Sequence, residues 1–190
     1  MASVLDAASL VQERYSRIAM WLHWVIAALI IANLLLGFFH EDFGKPVGDQ
    51  LLLLHKSIGL TVLVLSVARL AWRIANRPPA FDPLMGPWEA RMAVGTHWLF
   101  YTLMIALPLS GWLHSDATGH PTSFFGQFDV PMLPVSHSRQ SHEFWEQTHA
   151  LLAFTMLIML VLHLAGAIKH MLEGRGRLVG RMAPWLLRRR

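Results

Sequence analysis

The 190-residue sequence contains no cysteine. This absence excludes disulfide bonds, iron–sulfur clusters, thiolate chemistry and the covalent attachment of haem through a C-x-x-C-H motif. Charged residues are also scarce. They make up 15% of the chain, whereas an ordinary soluble domain carries about 25%. Because 54% of the residues are hydrophobic, the composition indicates a membrane protein, and the length favours a single domain.

Four apolar stretches are each long enough to cross a lipid bilayer: residues 20–39, 51–72, 92–113 and 143–170. Residues 1–14 lack the basic start and the cleavage site of a signal peptide, and we interpret them as a cytoplasmic tail. The sequence therefore predicts an all-α membrane protein, a four-transmembrane-helix bundle. Its membrane domain is expected at 15–184, followed by a basic tail at 185–190.

Lysine and arginine are distributed unequally around the four stretches. Thirteen of the 16 lie before the first stretch, at or after the end of the second, before the third, or at or after the end of the fourth; the exceptions are Lys45, Lys56 and Arg139. The positive-inside rule then places both termini in the cytoplasm, an N-in/C-in arrangement. A net charge of +4 would suggest nucleic acid in a soluble protein. Here the basic residues flank apolar spans, so membrane orientation explains the charge. No nucleic-acid partner is expected.

Histidine is enriched, with 11 in the chain, and two of them, His149 and His163, lie 14 residues apart in the fourth stretch. Fourteen residues of α-helix return to within about 40° of one direction and rise about 21 Å. The two rings therefore share a face, one near each edge of a hydrocarbon core about 30 Å thick. Depth pairs His163 with His23 of the first stretch on the cytoplasmic side. It pairs His149 with His55 of the second stretch on the outer side.

Two histidines that face each other across a bundle are a natural way to hold a b-type haem. Histidines inside a membrane are costly, so they indicate function. We therefore predict that His23 with His163, and His55 with His149, are the axial ligands of haem iron. A single histidine near a helix end could instead reach interfacial water. The same four residues would also serve a transition-metal transporter, although an ion path without carboxylates would be unusual.

The roles of three further residues stay open. His97 and His170 each fit a snorkelling residue, an alternative ligand, or part of a quinone or propionate site. Lys56 follows His55 and would hold a haem propionate, draw in an anion, or simply snorkel. Five other histidines are expected to be solvated in outer loops: His40, His114, His120, His137 and His142.

Several strings of the sequence resemble the prokaryotic cytochrome b561 family. They are YSRIAMWLHW (15–24), LHKSIGLTVLVLSVARLAWRI (54–74), HWLFYTLMIALPLSGWL (97–113), the pair His149 and His163, and RMAP (181–184). The strings LHKSIG and ALPLSGW are the specific ones. The resemblance covers residues 15–184 and implies a four-helix, di-haem b cytochrome of the bacterial inner membrane that exchanges electrons with ubiquinone. The family's ligand histidines fall on the four residues that depth pairing selects.

The resemblance also implies an oxidoreductase, because the best-known activity among close relatives is superoxide oxidation with reduction of ubiquinone. Superoxide is our leading interpretation of the substrate. The acidic outer segments would repel this anion as a whole, and Lys56 would offset the repulsion locally. A second hypothesis is a haem-bearing membrane anchor and electron-relay subunit for a periplasmic redox protein or dehydrogenase.

Overall fold

Four long helices dominate the computed structural model, which describes residues 14–76, 78–79 and 86–187. They are α1 (Arg17–Phe39), α2 (Val47–Ala75), α3 (Pro87–Ala117) and α4 (Arg139–Leu172). Each is long and apolar enough to cross a membrane. The predicted all-α, four-span architecture is therefore confirmed. Most of the expected N-terminal tail (1–13) and the end of the basic tail (188–190) lie outside the described residues.

Each helix continues beyond the apolar stretch that predicts it, and in α1 and α4 a serine caps the first turn. At the start of α1 the Ser16 hydroxyl accepts a hydrogen bond of 3.2 Å from the Ala19 N–H. At the start of α4 the Ser138 hydroxyl accepts an equal bond from the Ser141 N–H. Such caps satisfy backbone donors that have no partner within the helix. Apolar length alone therefore underestimates every helix.

The helices pack in chain order, α1 on α2, α2 on α3 and α3 on α4. Their buried contacts form one apolar cluster: Leu22, Ile26, Val62, Tyr101, Leu103, Met104 and Met156. Met156 is the one buried residue of α4. It stands seven residues from both His149 and His163, so this core lies between the two predicted pairs of histidines.

Helix α4 meets α1 and α2 mainly through side chains, while its backbone packs along α3. Phe38 of α1 and Phe154 of α4, for example, contact each other with ring centroids 5.3 Å apart. The space between α4 and the first two helices is therefore bridged by long side chains. This is the space into which the four paired histidines project.

The bundle has two ends, which we name by the segments they carry. The loop end carries residues 40–46 and 118–138, and the terminal end carries both described chain termini. At the loop end, β1 (Ser123–Phe124) and β2 (Phe128–Asp129) form a short antiparallel hairpin that sequence reasoning treated as plain loop. The Phe125 N–H in its turn donates a 2.8 Å hydrogen bond to the buried Ser57 hydroxyl of α2. The hairpin is thereby held against the end of the bundle.

The terminal end is closed by the residues that follow α4. The short helix α5 (Gly176–Gly180) leads into a final helical turn at Pro184–Leu187. The Trp24 indole N–H of α1 donates to the Met182 carbonyl at 2.8 Å, and Arg175 pairs with Glu89 of α3 at 3.1 Å. These contacts hold the C-terminal segment against α1 and α3.

Candidate functional site

Two pairs of histidines face each other inside the bundle. At the loop end, the rings of His55 and His149 have centroids 6.0 Å apart and planes inclined by 89°. At the terminal end, the rings of His23 and His163 have centroids 6.4 Å apart and planes inclined by 70°. We call these the loop-end pair and the terminal-end pair. The structure brings together the same residues that depth pairing selects, and their role as ligands stays a prediction.

A stripe of side chains along α4 organises both pairs. Its members recur every seven residues: His142, His149, Met156, His163 and His170. Seven residues are nearly two turns of α-helix, so consecutive members lie about 10 Å apart on almost the same face. The stripe thus places Met156 between the two pairs and one further histidine beyond each of them.

His149 docks directly against the backbone of α3. Its Nδ1 lies 3.1 Å from the Leu107 carbonyl oxygen and 3.1 Å from the Ser110 hydroxyl. A Cβ added at Gly111 would stand 2.8 Å from the Cε1 of His149, closer than such atoms approach. The ring can occupy this position because residue 111 has no side chain.

His55 docks against α1 in the same way. Its Nδ1 lies 2.9 Å from the Asn33 carbonyl oxygen, and a Cβ at Gly37 would stand 2.8 Å from its Cε1. In both cases the facing helix offers a carbonyl and, four residues later, a glycine. With its hydrogen on Nδ1, each ring donates to that carbonyl and leaves the Nε2 lone pair for a metal. Sequence reasoning missed both glycines, because it could not show which face of α1 or α3 turns towards a histidine.

The terminal-end pair lies among aromatic side chains. Phe100 of α3 contacts the His163 ring edge to face at 5.4 Å, and Trp24 contacts His23 in the same manner at 5.1 Å. The structure places His97 in α3, half-buried. His170 lies one step further along the α4 stripe, and its Nδ1 is 3.9 Å from the Glu173 carboxylate.

Lys56 turns away from open water. Its ammonium group donates a 3.0 Å hydrogen bond to the Ser115 hydroxyl of α3, and Ser115 also accepts from Thr122 at 2.9 Å. A positive charge is thus held in place at the loop end, one residue from His55. Gly59 packs against the Asn33 side chain, and an added Cβ would stand 3.5 Å from its Nδ2, an ordinary contact distance.

Two expectations about the loop end are wrong. His114 and His142 lie in the last turn of α3 and the first turn of α4, half-buried and 3.1 Å apart between their Nε2 atoms, and not in a solvated loop. Asp116 belongs to the outer acidic segments that are expected to repel anions, but it is fully buried and accepts a 2.8 Å hydrogen bond from the Leu133 N–H. Both errors have one cause. The helices extend past their apolar stretches and carry these residues into contact with neighbouring elements.

Comparisons with known proteins agree with this architecture. The sequence model of prokaryotic cytochrome b561 matches residues 14–185. The chain is 33% identical to cytochrome b561 homolog 2 of Escherichia coli strain K12 over 160 residues, which cover 83% of this chain and 85% of that protein. It is 26% identical to a protein of Yersinia pestis named probable superoxide oxidase CybB over 179 residues, 90% of this chain and 97% of that protein.

Four membrane-length helices, paired histidines and these matches define a multi-pass membrane cytochrome. The chain belongs to the prokaryotic cytochrome b561 family. Membership implies a b-type haem and electron transfer in a membrane.

The two histidine pairs have the geometry that a b-type haem requires. Bonds from a metal to imidazole nitrogen measure about 2.0–2.1 Å, so an ion between two opposed imidazoles holds the ring centres roughly 6 Å apart. The observed 6.0 and 6.4 Å agree with this spacing. In the loop-end pair the Nδ1 atoms already have backbone partners, which is the usual orienting contact of a metal-ligating histidine.

Proposed function

We propose that the protein is a di-haem b cytochrome that moves electrons between a one-electron donor and ubiquinone. His55 with His149 would hold one haem and His23 with His163 the other. The single observation that carries this proposal is the presence of two opposed histidine pairs at iron-ligating separation. We further propose that the loop end faces the periplasm of a bacterial inner membrane, as the distribution of lysine and arginine indicates.

When bound, each haem iron would accept and release one electron. The chain's own residues would fix where this happens. The carbonyls of Asn33 and Leu107 orient the imidazoles of the loop-end pair, and Gly37 and Gly111 let these rings reach the backbone. The apolar core around Met156 separates the two pairs.

Superoxide is the donor that the loop end supports best. The side chain of Lys56 is held by Ser115, which fixes a positive charge one residue from His55. A fixed cation raises the local concentration of a small anion even where the surrounding surface is acidic. The name of the Yersinia relative is consistent with this substrate. Electrons would then pass to ubiquinone, which needs two.

Rapid mixing tests this function. The purified protein, loaded with ubiquinone, is mixed with superoxide in a stopped-flow instrument while haem absorbance is followed. We expect the haem absorbance to show fast reduction after mixing, followed by formation of ubiquinol. If the haems stay oxidised, superoxide is not the donor. A haem content of one per chain would contradict the di-haem proposal separately.

A membrane anchor and electron relay for a partner protein is the second candidate. It is favoured by exposed acidic side chains at the loop end: Glu41, Asp42, Asp49, Asp129, Glu143 and Glu146. Such a surface suits a basic periplasmic redox protein or the redox subunit of a dehydrogenase. Copurification of a stoichiometric partner, together with haem reduction by that partner and not by superoxide, would favour this candidate.

A further inference from the structure

A second group of ligating side chains lies at the loop end, apart from the two histidine pairs. The Nε2 atoms of His114 and His142 are 3.1 Å apart, with ring centroids at 4.7 Å. Glu146 stands four residues after His142, on the same face of α4. One ligand atom from each of the three residues lies within 4.8 Å of the others.

The arrangement has the chemistry of a metal site. Without an ion, one Nε2 must carry a hydrogen and donate it to the other. With an ion, both lone pairs can point to the same place. Two imidazoles and one carboxylate are a known donor set for zinc with an open fourth position, and imidazole also suits copper and nickel.

The distances require little movement. Bonds of about 2.0–2.2 Å to a tetrahedral ion separate its ligand atoms by roughly 3.5 Å. The two nitrogens, 3.1 Å apart, are already close to this distance. Glu146 is exposed while both histidines are half-buried, so its carboxylate is the ligand that adjusts. We propose that His114, His142 and Glu146 bind a divalent transition-metal ion that links the loop ends of α3 and α4.

This site does not depend on the haem assignment, although it lies close to the loop-end pair. His142 and His149 are consecutive members of the α4 stripe, about 10 Å apart along the helix. A bound ion would brace α4 against α3 just beyond the point where His149 contacts Leu107 and Gly111. It would also add two positive charges to an acidic surface.

Zinc binding to the full-length, haem-containing protein tests the proposal. The protein is prepared without a polyhistidine tag, and Zn²⁺ affinity is measured by competition with a chromophoric chelator. We expect one ion per chain. His114→Gln and His142→Gln should each weaken binding at least about tenfold, because loss even of a group that only orients a ligand costs about 10–100-fold in metal affinity. Glu146→Gln should weaken it as well, because a neutral amide is a poorer ligand than a carboxylate.

Two matched variants control for general effects of charge and histidine number. His120→Gln removes an exposed histidine of the loop end, and Glu143→Gln removes an exposed carboxylate from the same helix as Glu146. Both should keep wild-type affinity. The haem spectrum of every variant reports folding independently of zinc. Equal Zn²⁺ binding by wild type and His142→Gln, or equal losses in His120→Gln, would overturn the site.

Paramagnetic resonance of bound Cu²⁺ gives a second and independent readout. Wild-type protein with one equivalent of Cu²⁺ should show hyperfine coupling to two imidazole nitrogens, and His142→Gln should show coupling to one. A copper spectrum that is unchanged by this substitution would place the ion elsewhere and refute the proposal.

Discussion

The imidazole of His149 lies against the α3 backbone at Gly111, where a single added methyl group would stand 2.8 Å from the ring. The ring is held there by the Leu107 carbonyl and the Ser110 hydroxyl, each 3.1 Å from Nδ1. His55 repeats the arrangement on α1 with Asn33 and Gly37. A histidine held this firmly has little freedom to rotate, which is what a metal ligand requires.

Substituting these glycines should therefore displace the proposed ligands. We expect Gly111→Ala to displace His149 and Gly37→Ala to displace His55, at an overpacking cost of about 1–3 kcal/mol. Each variant should lose or alter one haem, measured as haem per chain and by the reduced-minus-oxidised spectrum. Gly95→Ala, where an added Cβ meets no atom within 4 Å, is the control. Full haem content in all three would show that the close approach has no role in binding.

Removing the histidines tests the pairing itself. Alanine at His55 or His149 should remove one and the same haem, and alanine at His23 or His163 should remove the other. We expect the two proposed haems to differ in midpoint potential, which a redox titration measures. His97→Ala should keep both. If it loses a haem, the assignment at the terminal end is wrong.

Lys56 should govern the encounter with an anionic donor. We expect Lys56→Gln to slow haem reduction by superoxide several-fold, because the positive charge that locally offsets the acidic surface is lost. Lys45→Gln removes an exposed lysine of the same end and should change the rate little. A rate unchanged by Lys56→Gln would indicate that this ammonium group serves packing alone.

Asp116 should matter for stability. Its buried carboxylate accepts the Leu133 N–H and so ties segment 118–138 to the end of α3. Asp116→Ala leaves that donor without its partner and should cost about 1–3 kcal/mol, seen as a lower midpoint of thermal unfolding. Asp129→Ala, at an exposed position of β2, should have a small effect. Comparable midpoints for both variants would contradict the anchoring role.

The part of the site that could be predicted from the sequence is the part that depends on the helical repeat and on the length of the apolar stretches. The positions of His149 and His163 on one face of one helix follow from the helical repeat alone, and apolar length fixes the number of spans and the depth of each histidine. Contacts between helices do not follow from either property. The roles of Gly37 and Gly111 can be recognised only when the rotation of α1 and α3 about their axes is known. His114 contacts His142 because α3 and α4 both extend beyond their apolar stretches.

The spacing of His149 and His163 along α4 has an electrical consequence. About 21 Å of helix separates them in a core about 30 Å thick, so an electron passing between the proposed haems would cross about two-thirds of the membrane's voltage drop. A potential of 100 mV is worth about 2.3 kcal/mol for a whole elementary charge, hence roughly 1.5 kcal/mol here. In the proposed orientation the loop end faces the periplasm, and with a negative cytoplasm electron transfer away from the loop end would be opposed about tenfold per 100 mV. An energised membrane would therefore retain electrons at the loop end.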